Sequence, residues 1–228
     1  MHGKIQTAGF TDFRRRYLKS KPKKKEARKK MNSEKNHSLP FKRDTAWELV
    51  KEYNKDKPDL NHYLESEAIM LALAKKLGED EETWGMLGLV HDIDWGITKK
   101  NPKDHLTKAP EILRKASFSE DFIKIIVSHG YGYECAGLEN KKRTTKAEHA
   151  LACAETVTGL IHAYALIRGS IDGMKVKGLK KKFKEKSFAA AVNREIIKEC
   201  GDLGLELSEF LQLSIDAITE IADKVDLI

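Results

Sequence analysis

The nonapeptide "GLVHDIDWG", residues 88–96, decides how the fold of this 228-residue chain is interpreted. It places His91 and Asp92 side by side directly after an apolar run, with Asp94 two positions further on. An apolar segment that ends in imidazole and carboxylate groups has two interpretations. One is a metal or acid/base site, and the other is a polar helix end held by ordinary hydrogen bonds.

Helical patterning continues on both sides of this stretch. Apolar residues recur at three- and four-residue spacing in "DTAWELVKEYN" (44–54) and in "NHYLESEAIMLALAKKLGE" (61–79). The segment 145–169 is the longest and most apolar, so we expect it at the centre, and the segment 186–204 is expected to form a further helix. No stretch alternates as a strand does. The sequence predicts an all-α fold, a single compact bundle of about seven or eight helices spanning residues 44–228.

The basic charge is concentrated at the N-terminus. Residues 1–43 carry a net charge of +12, whereas the rest of the chain carries −5. The run "RRRYLKSKPKKKEARKK" (14–30) has too few apolar residues to bury a face, which predicts a disordered basic extension over residues 1–43. A weak nucleic-acid contact through residues 14–30, a solvated tail and a translation start at Met31 are the alternatives.

Three widely spaced cysteines form no CxxC pair, which is typical of a reducing compartment. No apolar run approaches the roughly 18 residues needed to span a bilayer, and the N-terminus lacks the apolar core of a secretory signal. We therefore expect a cytoplasmic protein without membrane contacts. The oligomeric state stays open.

Further polar groups stand where helices are expected to begin or end. His62, His105 and His129 occupy such positions, and Glu155 lies in the middle of the apolar segment 145–169. A buried carboxylate needs a cation, since burying an unpaired charge costs several kcal/mol. Imidazole and carboxylate groups together suit Mn, Fe, Co, Ni or Zn, any of which could generate a water nucleophile near neutral pH.

This set of motifs resembles the HD-domain superfamily of metal-dependent phosphohydrolases. His62, the His91–Asp92 pair and a carboxylate on a later long helix follow the family order. The segments "NPKDHLTKAPEIL" (101–113) and "IIVSHG" (125–130) are similar to those that supply further histidines in two-metal members. The resemblance covers roughly residues 44–215 and extends to a poorly characterised bacterial and archaeal subgroup of predicted HD hydrolases.

The resemblance implies one or two divalent metal ions. The implied ligands of the first are His62, His91, Asp92 and Glu155, with His105 and His129 for a second. Glu155 departs from the family pattern, in which this ligand is usually an aspartate.

Two further carboxylates are catalytic candidates, each with an alternative. Asp94 could orient another group or act as a general acid, or it could be a turn residue. Glu65 lies three residues after His62 on the same helix face, so it is a candidate proton shuttle or a surface ion-pair partner. His162 is interpreted as a core or cavity residue.

The function implied by the resemblance is hydrolysis of a small phosphorylated metabolite or nucleotide, through attack of metal-bound hydroxide on phosphorus. Cations for the substrate phosphate are expected in or near "KGLKKKFKEK" (177–186), for which a solvated helix face is the alternative. The candidates are Lys180, Lys181, Lys186 and Arg194. Alternative functions are a di-iron oxygenase, a non-enzymatic nucleotide sensor and a nucleic-acid binder acting through the basic tail.

Overall fold

A computed structural model describes residues 39–228, and no strand occurs among them. The first half contains α1 (Arg43–Tyr53), α2 (Lys57–Leu77), α3 (Glu81–Val90), α4 (Trp95–Thr98), α5 (Ala109–Lys115) and α6 (Glu120–Ser128). The second half contains α7 (Lys146–Arg168), α8 (Val176–Lys184), α9 (Arg194–Lys198) and α10 (Leu207–Thr219). Short 3₁₀ helices cover Pro102–Asp104 and Glu199–Leu203. The predicted all-α fold is confirmed.

Helix α7 occupies the centre, as its apolar sequence predicts. It contacts α2, α3, α6, α8, α9 and α10, and about half of its residues are buried. Its length and hydropathy also satisfy the criterion for a membrane span, which corrects the expectation that no apolar segment is long enough. Packing against these helices accounts for the hydrophobicity without a bilayer.

One helix predicted from the sequence is wrong, and the predicted N-terminal tail cannot be compared with the structure. The segment 186–204 was expected to be helical throughout, but a turn-rich segment precedes α9 and a 3₁₀ helix follows it. The cause is local: Asn193 caps α9, because its side chain accepts a hydrogen bond from the amide of Glu195 at 3.0 Å. The predicted disordered tail and its nucleic-acid contact fall almost entirely outside the described residues.

Helices α2 and α3 form the most extensive helix pair of the described chain, and Gly88 lies where they approach most closely. A Cβ atom at Gly88 would lie 2.6 Å from the carbonyl oxygen of Ser66 and 2.8 Å from the amide nitrogen of Glu67. Both are backbone atoms and cannot rotate away. The glycine therefore sets the spacing that brings the end of α3 beside α2.

We expect Gly88→Ala to lower the free energy of unfolding by about 1–3 kcal/mol, because the added methyl group forces the two helices apart. Chemical denaturation measures this loss. Gly201→Ala is the matched control, since a Cβ atom there meets no atom within 4 Å. Equal stability of the two variants would contradict the close approach.

Candidate metal centre

Two histidines lie at the ends of helices. His91 follows the last residue of α3, and His129 follows the last residue of α6. The Nδ1 atom of His91 lies 2.8 Å from the carbonyl oxygen of Gly88, and that of His129 lies 2.6 Å from the carbonyl oxygen of Ile126. A carbonyl oxygen only accepts, so each Nδ1 carries the proton. Each Nε2 atom is left to face away from its helix.

The other two histidines are oriented in the same way by different acceptors. His62 on α2 has its Nδ1 atom 2.9 Å from the hydroxyl oxygen of Thr158, whose own proton goes to the carbonyl of Glu155. His105 has its Nδ1 atom 3.1 Å from a carboxylate oxygen of Asp94. All four rings are therefore held with Nδ1 protonated. Metal-binding histidines are commonly held in this way, because the nitrogen that does not bind the metal donates its proton to a neighbouring acceptor.

The four Nε2 atoms meet in two pairs. Those of His62 and His91 lie 3.0 Å apart, and those of His105 and His129 lie 3.2 Å apart. If both rings of a pair are neutral and protonated on Nδ1, their Nε2 atoms carry lone pairs that point at each other across a hydrogen-bond distance. Such an arrangement is stable only with a cation between or beside the lone pairs, either an added proton or a metal ion.

Asp92 lies between the two histidine pairs. Its Oδ1 atom is 3.4 Å from Nε2 of His91, 3.2 Å from that of His105 and 3.1 Å from that of His129. Its Oδ2 atom is 3.8 Å from Nε2 of His62. One carboxylate therefore reaches the four imidazoles from both sides.

The pKa values of these groups shift in different directions. Burial disfavours the charged form of His105, but the charges and hydrogen bonds of Asp92 and Asp94 outweigh it and raise its pKa to about 10. Burial lowers the pKa of His91 to about 3. Burial alone would raise the pKa of Asp92, yet the surrounding histidines hold it well below its ordinary value.

Ligand atoms of the predicted residues fall into two groups, each with atoms within 4.8 Å of one another. One group is His62, His91 and Glu155, and the other is Asp92, His105 and His129. Burial raises the pKa of Glu155, whose carboxylate also accepts a hydrogen bond from the hydroxyl of Thr156. Mixed imidazole and carboxylate donors with converging lone pairs fit divalent transition metals. Their identity and number stay predictions.

Asp94 is fully buried and anchors the segment that carries His105. Besides the His105 ring, its carboxylate accepts from the backbone amides of Leu106 at 3.3 Å, Lys108 at 2.9 Å and Ala109 at 3.0 Å. These contacts favour the orienting role over that of a general acid, since its oxygens are already occupied. Its catalytic role stays a prediction.

Glu65 belongs to neither ligand group. Its carboxylate is buried and lies 2.7 Å from Nδ1 of His162, a half-exposed residue two turns beyond Glu155 on α7. The predicted alternatives are a proton shuttle and a surface ion pair. The contact favours an ion pair in which the Glu65 carboxylate is buried and the His162 ring is partly exposed. The hydrogen bond with Glu65 raises the pKa of His162.

We expect Glu65→Gln to destabilise the fold by about 1–2 kcal/mol at pH 6 and by less at pH 9. A histidine whose pKa is raised in the folded state stabilises the fold fully at pH values below its pKa in the unfolded state, about 6.5. This contribution is lost as the pH rises through its pKa in the folded state. Thermal unfolding at both pH values measures the difference.

The exposed pair of Glu48 with Lys51 provides the control, because Glu48→Gln should have a small effect that is equal at both pH values. The hydrolysis that the sequence predicts should, in folded Glu65→Gln, stay within about threefold of wild type. A hundredfold loss with unchanged stability would instead identify a proton shuttle.

A pocket of about 430 Å³ opens onto the ligands, and we call it the histidine pocket. Its lining includes Asp92, His105, His129 and Glu155, together with Trp95, Pro102, Lys103, Gly130, Tyr133, Glu134 and Cys135. Sequence reasoning missed Trp95, Lys103 and Tyr133 as lining residues. Trp95 and Lys103 lie beside predicted ligands within the quoted motifs, so proximity in sequence was the available signal. Nothing in the sequence marked Tyr133.

Sequence reasoning also missed the structural role of Arg143. Its buried guanidinium donates to the carbonyl oxygens of Ser128 at 2.8 Å and Tyr131 at 3.0 Å, and it pairs with Glu199 at 2.6 Å. It thereby fixes the end of α6, from which His129 projects. A lone arginine in a loop gave no sequence signal for this role.

The lysines and arginine predicted for the substrate phosphate do not line the histidine pocket. Lys180, Lys186 and Arg194 line a different pocket that shares no residue with it, and Lys181 lines neither. Lys103 is the lysine that lines the histidine pocket. The phosphate contact of the predicted residues stays a prediction that this placement does not support.

Comparisons with known proteins identify one family. Residues 59–163, just under half of the chain, match the HD domain. Searches of curated proteins and of solved structures gave no match. The matched range contains both ligand groups, from His62 to Glu155, and most of the helices that carry them. Residues 59–163 of the chain therefore form an HD domain, and proteins with this domain are generally metal-dependent hydrolases.

Proposed function

We propose that this protein is a metal-dependent phosphohydrolase that acts on a small phosphorylated metabolite or nucleotide. The observation that carries the proposal is the convergence of four Nε2 lone pairs on one carboxylate at the floor of an open pocket. Family membership supports the same reaction class. A divalent ion bound there would lower the pKa of water and neutralise phosphate charge.

The residues of the chain supply the other requirements. The carboxylates of Asp92 and Glu155 face the histidine pocket and can orient an attacking water by accepting its hydrogen bonds. Lys103 can contact a phosphate oxygen. Its ammonium group is exposed, and the exposed Glu134 carboxylate, 3.6 Å away, holds it only weakly. Trp95 and Tyr133 add aromatic surface to the wall of the same pocket.

We expect purified protein loaded with Mn²⁺, Fe²⁺, Co²⁺, Ni²⁺ or Zn²⁺ to hydrolyse a generic phosphoester, such as p-nitrophenyl phosphate, or one of a panel of nucleotides. A chelator should remove this activity and lower the thermal midpoint, because a ligand that binds only the folded state stabilises it. Readdition of metal should restore both. Fully metallated protein that hydrolyses no phosphomonoester, phosphodiester or nucleotide would contradict the proposal.

A second candidate is an iron-dependent oxygenase. It is favoured by the position of Asp92, whose oxygens reach ligands of both groups and could hold two iron ions close together. Iron-loaded protein that consumes oxygen in the presence of a substrate would support this reaction, and hydrolysis without oxygen uptake would exclude it.

A further inference from the structure

A second pocket, of about 570 Å³, lies between α8, α9 and the first residue of α10. We call it the basic pocket. Its apolar floor includes Phe183, Val192 and Leu207. Its cations are Lys180, Lys184, Lys186, Arg194 and Lys198, against a single acid, Glu195. A cavity with an apolar floor and convergent charges is typical of a small-molecule site.

The positive charge of this pocket is largely uncompensated. Lys184 and Lys186 have no carboxylate within 4 Å in residues 39–228, and the intervening Glu185 is paired with Lys182 at 2.7 Å. Lys180 donates to the neutral hydroxyl of Ser208 at 2.7 Å. The surplus is local, because residues 175–198 hold nine basic and two acidic residues in a folded body that is acidic overall.

Arg194 holds one wall of the basic pocket in place. Its guanidinium donates to the carbonyl oxygens of Ala189 and Val192, each at 2.6 Å, and to that of Phe188. Its Nε atom is buried without a hydrogen-bond partner in the described part of the chain. Carbonyl dipoles do not cancel a full charge, so the arginine orders the wall and leaves it positive.

The start of α10 borders this pocket. Leu207, the first residue of this 13-residue helix, lines it. Glu206 before the helix and Glu209 in its first turn are acidic, so their charges offset the positive end of the helix dipole. The uncompensated lysines and the rigid wall therefore favour an anion.

We propose that the basic pocket binds a small phosphorylated anion with at least two negative charges, at a site separate from the histidine pocket. Lysine ammonium groups are effective point charges for phosphate, and a volume of about 570 Å³ accommodates a diphosphate with a small organic group. Lys180, Lys186 and Arg194, three of the four cations expected to bind the substrate phosphate, thus serve a second ligand. This inference does not depend on hydrolytic activity.

The test uses methylenediphosphonate, a diphosphate analogue that cannot be hydrolysed, titrated calorimetrically into the full-length protein. Lys184→Ala/Lys186→Ala should weaken binding at least about tenfold, since two charge-assisted contacts are lost. Lys177→Ala/Lys181→Ala is the matched control. It removes two exposed lysines of the same segment that do not line the pocket, and it should change affinity less than about twofold.

Asp92→Ala separates the two sites. We expect it to bind the diphosphonate as wild type does, even if hydrolysis is lost. Binding that disappears in Asp92→Ala and persists in Lys184→Ala/Lys186→Ala would place the anion at the metal centre and overturn the proposal. Equal weakening by both lysine pairs would also overturn it, because it would indicate diffuse charge attraction, as would absence of binding by wild type at millimolar concentration.

Discussion

Asp92→Ala is expected to abolish metal retention and to reduce phosphoester hydrolysis by at least about a thousandfold. The Asp92 carboxylate is the anion nearest to the Nε2 atoms of His91, His105 and His129, at 3.1–3.4 Å. Without it, the site keeps its imidazoles but loses the charge that offsets a divalent cation. Elemental analysis per chain and hydrolysis assays measure the two losses.

The control for this variant is Asp172→Ala, which removes an exposed carboxylate outside both ligand groups. It should keep metal content and activity at wild-type levels. Circular dichroism should show that Asp92→Ala remains helical, so that loss of activity does not reflect unfolding. Metal content and hydrolysis within a factor of two of wild type in Asp92→Ala would rule out the central role of this residue.

The largest loss of stability is expected for Asp94→Ala, at about 3–5 kcal/mol. The substitution removes a buried acceptor shared by three backbone amides and the His105 ring, and it leaves these donors without a partner. Metal content should fall as well, because His105 loses the contact that fixes its orientation. Chemical denaturation measures the free energy of unfolding.

Asp94→Asn distinguishes anchoring from acid catalysis, and it is available if the alanine variant does not fold. Its amide group can accept some of these hydrogen bonds but turns an NH₂ group towards another donor, so intermediate stability and reduced metal content are expected. A general acid would behave differently. Stability and metal content would stay at wild-type values, and one limb of the pH–rate profile would disappear.

Much of the fold could be predicted because its helices carry regular apolar periodicity. The central position of α7 follows from its length and hydrophobicity. The break before α9 was harder to predict, since the alanine-rich segment around Ala190 favours a helix locally. There Asn193 and the guanidinium of Arg194 stabilise a turn through contacts that no periodicity reports.

The candidate ligands could be predicted, but not the relations between them. Sequence order grouped Asp92 with His62 and His91, whereas the structure places its carboxylate within reach of both histidine pairs. Two of the four acceptors that fix the Nδ1 atoms are backbone carbonyls, which every residue possesses. The three backbone amides that donate to Asp94 are also groups that nearly every residue possesses, so no sequence pattern indicates these contacts.

The positions of His91 and His129 at the ends of α3 and α6 have a consequence for the order of binding. Both helices end at predicted metal ligands, so the negative ends of their dipoles lie near Asp92 and Glu155, two carboxylates that line the histidine pocket. These negative charges repel a phosphorylated compound until a bound cation reverses the sign of the local electrostatic potential. For the proposed phosphohydrolase, occupancy by metal would therefore be a precondition for substrate entry, and the metal-free protein would be closed to its substrate by electrostatics while the pocket itself stays open.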